Sequence, residues 1–202
     1  MFQGRDIACD RGERRIFSNL DFRIMPGQAL VLRGPNGCGK TTLLRTAATL
    51  LKVAGGKLTW DGTDISEDPE EHRARLHFVG HLDAVKGALS VRENIAIWAK
   101  VRGSTEDRIE AAMAAFEILH LMDTPAQYLS AGQHRRTALA RLVASPAALW
   151  LLDEPTVSLD ADGTACLQRA IAAHRADGGM VMAATHIELG LDDVEFLQLK
   201  PQ

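Results

Sequence analysis

The run Gly34-Pro35-Asn36-Gly37-Cys38-Gly39-Lys40-Thr41 has the spacing G-x-x-x-x-G-K-[ST] of a phosphate-binding loop. Its glycines free the backbone to curl until several N–H groups face one point, which makes a nest for an anion. A helix opening at the loop adds its positive N-terminal end. Thr41 and Thr42 close the loop. In this setting Lys40 would reach the β- and γ-phosphates of a nucleotide, and the Thr41 hydroxyl would ligate Mg²⁺. With glycine near 7% of residues, the pattern arises by chance in roughly 1% of chains this long. The apolar run Ala29–Leu32 before it and the helical stretch after it supply the context the motif requires.

Two carboxylates, Asp153 and Glu154, end the apolar run Leu149-Trp150-Leu151-Leu152. Strand ends in open α/β sheets face the ligand crevice. There Asp153 would hold Mg²⁺ through water, and Glu154 would orient and polarise an attacking water. Phosphoryl transfer has a loose transition state, so placing the water matters more than base strength. An acidic strand end standing alone would read as solvated surface. Leu129-Ser130-Ala131-Gly132-Gln133 precedes a helical stretch, His134–Ser145, which Ser130 could cap and whose N-terminus suits a phosphate. Alone, this is an ordinary capped helix. His186 follows the strand Met180–Thr185 and could hydrogen-bond a γ-phosphate, although a lone histidine there is more often structural.

These residues need a frame of alternating strands and helices. Phe2–Cys9, Asp21–Ile24, Ala29–Leu32, Lys57–Trp60 and Leu76–Val79 read as strands, with Thr41–Lys52 a helix ended by Gly55-Gly56. From about residue 83 to 145 the character turns helical. Ser90-Val91-Arg92-Glu93 is a capping box opening a helix to about Arg102. Thr105–Met122 places Ile109, Ala112, Phe116 and Leu119 on one amphipathic stripe. Leu149–Asp153, Asp162–Ala176, Met180–Thr185 and Val194–Leu199 resume the alternation. Such alternation implies a parallel sheet covered on both faces, with a helical subdomain set into one α/β domain spanning 1–202.

The chain has 202 residues and a formal net charge of −3, so a bulk electrostatic grip on nucleic acid or anionic lipid is not expected. With 46% hydrophobic and 24% charged residues, the composition is that of a globular protein rather than a disordered chain or a coiled-coil rod. No apolar run approaches the roughly 20 residues of a membrane span, and the N-terminus lacks the apolar core of a signal peptide. Cys9, Cys38 and Cys166 are odd in number and in no metal spacing, which fits free thiols in a reducing compartment. The last strand lies close to Gln202, so no tail domain is expected.

Together the motifs resemble the ATP-binding subunit of ABC transporters, over nearly the whole chain. The glycine loop resembles the Walker A motif, Leu129–Gln133 the signature, Leu149–Glu154 Walker B, Ser158-Leu159-Asp160 the D-loop, and His186 the switch histidine. The resemblance implies a P-loop NTPase fold with a mostly parallel sheet, N-terminal antiparallel strands and an inserted helical subdomain. It also implies ATP and Mg²⁺ as ligands, and a head-to-tail dimer. In that dimer Ser130, Gly132 and Gln133 would act on the partner's nucleotide and Asp160 would contact its site. Integral membrane subunits would read the opening and closing.

Three positions depart from the family pattern. The aromatic that usually stacks on adenine would fall near Arg11, which could stack in its place. The Q-loop glutamine is replaced by His81, with Leu82 and Asp83 beside it, which makes His81 a candidate sensor of Mg²⁺ and water. Ala131 stands where the signature has glycine. A narrower resemblance is to the bacterial haem-exporter ATPase of cytochrome c maturation. It is carried by Gly80-His81 with Lys86, by Leu129–Gln133 running into Arg135-Arg136 and Ala138–Leu142, and by Gly178-Gly179 before Ala184-Thr185-His186. It implies a peripheral ATPase on the cytoplasmic face of the inner membrane.

Other residues read as bland. His77 and His81 need not share a face, Cys38 is a small filler of the loop, and Arg135, Arg136 and Arg141 form a solvated helix face. A soluble ABC-type ATPase of translation or DNA repair is disfavoured, since tandem ATPase halves and long coiled coils are missing. A GTPase is disfavoured because no Asn/Thr-Lys-x-Asp motif occurs.

Overall fold

A computed structural model describes residues 1–186 and 189–200. The expected domain span 1–202 therefore ends on two residues outside the described ones. Strands β1 (Phe2–Arg11), β2 (Arg14–Ile24), β4 (Gly55–Trp60) and β5 (Thr63–Asp64) form an antiparallel sheet in the order β2-β1-β4-β5. Strands β3 (Ala29–Arg33), β6 (Leu76–Val79), β7 (Leu149–Asp153), β8 (Met180–Ala184) and β9 (Val194–Gln198) form a second sheet. Its order is β6-β7-β8-β3-β9 and every pairing is parallel. The expectation of a mostly parallel sheet with N-terminal antiparallel strands is borne out.

The central strands β3, β7 and β8 are apolar up to their last residues because both of their faces are covered, whereas the edge strand β9 carries Glu195 and Gln198 and stays half-buried or exposed. Along β7, Leu149 and Leu151 join one core while Trp150 and Leu152 join the other. Along β8, Met180, Met182 and Ala184 alternate with Val181 and Ala183 in the same way. The first core is closed by helix α1 (Lys40–Ala47) and the antiparallel sheet, through Leu43, Leu44, Ile7, Phe17 and Phe22. The second is closed by α3 (Val91–Val101), α4 (Glu106–Ala115), α5 (Ala131–Ala144) and α6 (Ala161–Ala176). A short helix, α2 (Pro69–Ala74), precedes β6. Each fully buried leucine contributes about 2 kcal/mol of transfer free energy, so β7 is anchored from both sides.

Several expected boundaries move. Helix α1 stops at Ala47 rather than Lys52, and Gly55-Gly56 open a strand instead of ending the helix. Gly56 has φ of 78° and a Cβ there would lie 2.2 Å from Asp6 O, so these glycines serve a close strand crossing. The stretch Thr105–Met122 is helix only to Ala115. A 3₁₀ turn then spans Leu119–Leu121, and Leu119 is exposed while Ile109, Ala112 and Phe116 are buried. Strand β2 is longer than the four residues expected. Helix α2 and strand β5 carry too little apolar periodicity to be seen in the sequence.

Three histidines, His72 and His77 buried and His174 half-buried, are held toward the neutral form. His77 lies 2.5 Å from Ser145 O through Nε2, and burial, then Arg102, pushes it down to about 3. Burial also lowers His72, which accepts from Trp60 Nε1, and His174, whose ring stacks on Trp150 at 3.9 Å. Between the ordinary value near 6.5 and the lowered folded value, the unfolded chain binds protons that the folded chain refuses. Stability is therefore intact above about pH 6.5 and falls as the pH drops. At pH 5 His77 alone should cost about 2 kcal/mol relative to pH 7.5. Urea unfolding at the two pH values checks this, and His77→Gln should lessen the difference.

Candidate active site

The loop between β3 and α1 is built by glycines in conformations that side chains rarely adopt. Gly34, Gly37 and Gly39 have φ of 146°, 80° and 105°. A Cβ on Gly34 would sit 2.5 Å from Leu199 O, and one on Gly39 2.7 Å from Ile16 Cγ2. Lys40 is buried at the start of α1, and its Nζ donates to Gly34 O at 2.7 Å and Pro35 O at 3.3 Å. The ammonium thus lies folded back across the loop that it would serve. Cys38 is buried inside the loop, where a Cβ on Gly34 would meet its Sγ at 2.7 Å. It fills space, as expected.

The sheet brings the other candidates to this loop. Thr41 Oγ1 donates to Asp153 Oδ1 at 3.0 Å, across 112 residues of sequence. Glu154 follows at the end of β7 with φ of 46°, and its N–H donates to Ala184 O at 2.8 Å. A non-glycine residue in the left-handed region costs on the order of 1 kcal/mol and persists only where neighbours hold it. His186 Nε2 lies 3.1 Å from Asn36 Oδ1 and 3.4 Å from Glu154 Oε1. Residues following β3, β7 and β8 therefore meet at one edge. Two hard oxygen ligands, the Thr41 hydroxyl and the Asp153 carboxylate, are adjacent there, a donor pair suited to Mg²⁺.

The signature segment forms the N-terminus of α5. Ser130 Oγ accepts from Gln133 N at 3.3 Å, and Gln133 Oε1 accepts from Ser130 N at 3.0 Å, a closed capping box. The Gln133 side chain is thus used within its own helix, and Ser130 is exposed. A Cβ on Gly132 would lie 3.1 Å from Ser158 O, so this glycine lets the segment after β7 pass close. Asp160 caps α6 by accepting from Gly163 N at 2.8 Å and from Arg136 Nη2 at 2.7 Å. The hydrogen bond from Arg136, then that from Gly163, holds its carboxyl below the usual range.

Two candidates stand apart from this cluster in their surroundings. Arg11 is exposed at the end of β1, opposite Arg14 in the β1–β2 register. His81 is exposed, while His77 is buried, so the two share no site. The residue of that segment that turns inward is Asp83, with its side chain 17% exposed and paired to Arg135. The reading of Arg135, Arg136 and Arg141 as a solvated face is overturned. Arg135 and Arg141 are each 3% exposed, and Arg136 is engaged by Glu117 and Asp160. A signal was present: Arg135, Ala138, Leu139 and Leu142 recur at i, i+3, i+4 and i+7, so the arginine occupies a core-facing stripe.

A glycine-rich loop opening a helix, with paired carboxylates ending a nearby parallel strand, defines a P-loop nucleoside triphosphatase. Residues 17–157 match the family model described as ABC transporter. A curated relative from Rhodospirillum rubrum, the cytochrome c biogenesis ATP-binding export protein CcmA, is 52% identical over 98% of this chain and 85% of its own. The protein of that name from Paramagnetospirillum magneticum is 48% identical over 98% of this chain and 93% of its own. A putative ABC transporter ATP-binding protein from Pyrococcus furiosus superposes with a TM-score of 0.85 at 27% identity, covering 98% of this chain and 96% of that one. An ATP-binding cassette dimer in a post-hydrolysis state, bound to ADP and phosphate, shares the fold with a TM-score of 0.86 at 24% identity, over 99% and 94% of the two chains. The chain belongs to the ABC transporter family and is an ATP-binding ATPase of that family.

Lys40→Ala should weaken ATP binding by about 10- to 100-fold, the worth of a charged hydrogen bond to phosphate. A fluorescent-nucleotide titration measures it, and unchanged affinity would remove the lysine from the cradle.

Proposed function

We propose that this chain is the ATP-hydrolysing subunit of a membrane export complex for c-type cytochrome biogenesis, with haem delivery as the work it drives. The observation that carries the reading is the 52% identity, over nearly the whole chain, to a relative named as an ATP-binding export protein of cytochrome c biogenesis. The meeting of Thr41, Asp153, Glu154 and His186 at one sheet edge supports the hydrolytic part.

In this reading the backbone of Gly34–Gly39 and the N-terminus of α1 cradle the phosphates, with Pro35, Asn36, Gly37 and Cys38 supplying loop atoms. Lys40 leaves the carbonyls of Gly34 and Pro35 for the β- and γ-phosphates, exchanging neutral acceptors for charged ones. Thr42 and Arg11 complete the nucleotide contacts. Thr41 and Asp153 would hold Mg²⁺, which would neutralise phosphate charge. Glu154 orients the attacking water, and His186, already between Asn36 and Glu154, contacts the γ-phosphate. His81 contributes to sensing from the segment after β6.

Two copies close head to tail. Ser130 and Gly132 of one, at the positive end of a 14-residue helix, reach the nucleotide on the other. Asp160 trades its Arg136 contact for one across the interface. Among the described residues no helix is long and apolar enough to cross a membrane, so docking on integral membrane subunits at the cytoplasmic face supplies the attachment. Nucleic acid is not a partner in this reading.

Glu154→Gln should keep ATP binding, lose roughly 10²- to 10⁴-fold in hydrolysis, and accumulate as a nucleotide-bound dimer by light scattering. Wild-type turnover, or a strictly monomeric sample, would contradict the assignment. Deletion in the native host should abolish covalent haem in c-type cytochromes on stained gels. Normal attachment would end the cytochrome reading and leave the ATPase intact.

A further inference from the structure

We propose that Arg135 is a positioning residue for hydrolysis, locking the strand end that carries Glu154, and that Asp83 is the counter-charge that fixes it. The proposal rests on the reading of Glu154 as the water-orienting group.

A guanidinium carries five N–H donors in a rigid fork. In Arg135, Nε and both terminal nitrogens are engaged. Nε donates to Pro155 O at 3.2 Å. Nη2 donates to Glu154 O at 2.9 Å and Asp153 O at 3.4 Å. Nη1 donates to Gly80 O at 3.1 Å and Asp83 Oδ1 at 2.5 Å. One buried side chain therefore gathers three consecutive carbonyls, from the last residue of β7 to Pro155. Glu154, in its left-handed conformation, is held from both directions: its N–H by Ala184 O, its C=O by Arg135. This fixes the angle at which its carboxylate leaves the backbone.

A buried cation needs compensation. Asp83 supplies it, and its second oxygen lies 3.1 Å from His134 Nδ1. Asp83 belongs to the segment after β6, where the family's sensing glutamine is missing. That segment is thereby tied to the signature helix and to the catalytic strand end through a single guanidinium. The link differs from a point charge: a lysine ammonium cannot span carbonyls on one side and a carboxylate on the other.

The test compares Arg135→Gln, Arg135→Lys and Asp83→Asn with the wild-type chain by steady-state hydrolysis, nucleotide titration and thermal melting. Both Arg135 variants should lose at least about tenfold in kcat while the dissociation constant for ATP stays within about twofold. Lysine should not rescue. Asp83→Asn should fall in the same direction by less. In a Glu154→Gln background Arg135→Lys should cost little more, because the group it positions is already gone. A general loss of structure would instead lower affinity and add to the Glu154→Gln defect. Should Arg135→Gln fail to fold, Arg135→Lys and Asp83→Asn carry the comparison. Wild-type kcat in Arg135→Lys, affinity falling in step with kcat, or full additivity with Glu154→Gln would each overturn the proposal. An inactive wild-type chain would overturn the hydrolytic reading along with it, whereas active Arg135 variants beside an active wild type would overturn this assignment alone.

Discussion

The hydrogen bond from the Thr41 hydroxyl to the Asp153 carboxylate depends on one constraint, the parallel alignment of β7, β8 and β3 in adjacent rows. In a parallel sheet every strand ends on the same edge. Residues that follow those strands are neighbours there however far apart they lie in sequence. Lys40, Asp153, Glu154 and His186 inherit their proximity from this rule. An antiparallel arrangement would put some of them at the opposite edge. The strands can be parallel only because both faces are buried, which is why their sequences are apolar without a polar alternate.

The second theme is how the structure treats arginine. With a net charge of −3 the chain has little bulk attraction for anions, yet several of its cations lie inside. Arg102 donates to the carbonyls of Arg73, Ala74, Leu76 and Pro146, joining the end of α3 to the entry of β6 and β7. Arg175 donates to the carbonyls of Gly27, Asp192 and Asp193, joining α6 to the turn before β3 and the segment before β9. Arg141 reaches Phe78 O and lies 4.6 Å over the Trp98 ring. Each guanidinium donates to backbone oxygens of segments far from it in sequence and so ties those segments together. Arg135 is the member of this set that reaches the strand end carrying Asp153 and Glu154.

The segment after β7 is where packing and chemistry meet most tightly. Glu154 and Ser158 both have positive φ, 46° and 67°. Gly132 admits Ser158 O, and Arg136 fastens Asp160. The signature helix therefore touches this segment at three positions along its first two turns. A movement of α5 relative to the parallel sheet could not leave the residues from Asp153 to Asp160 unchanged. The interior is close-packed, and such contacts transmit displacement rather than absorb it.

Much of this was legible in the chain itself. The phosphate loop, strand Leu149–Asp153, the capping box at Ser90 and the Ser130 cap depend on contacts within a few residues, and local chemistry specifies them. The parallel sheet followed from alternation. Other features were out of reach because their causes lie far away in sequence. Helix α1 ends at Ala47 where the chain turns to meet β4, and Gly56 is a glycine because Asp6 crosses it. Asp83 rather than His81 turns inward because Arg135 waits 52 residues later. Sequence by itself determined which groups could bind and cleave a nucleotide, since residue type and short spacing set that chemistry. Tertiary structure decided which of the arginines would be buried and which carboxylate would face them, because burial is a property of the surfaces that meet and not of the residue that is hidden.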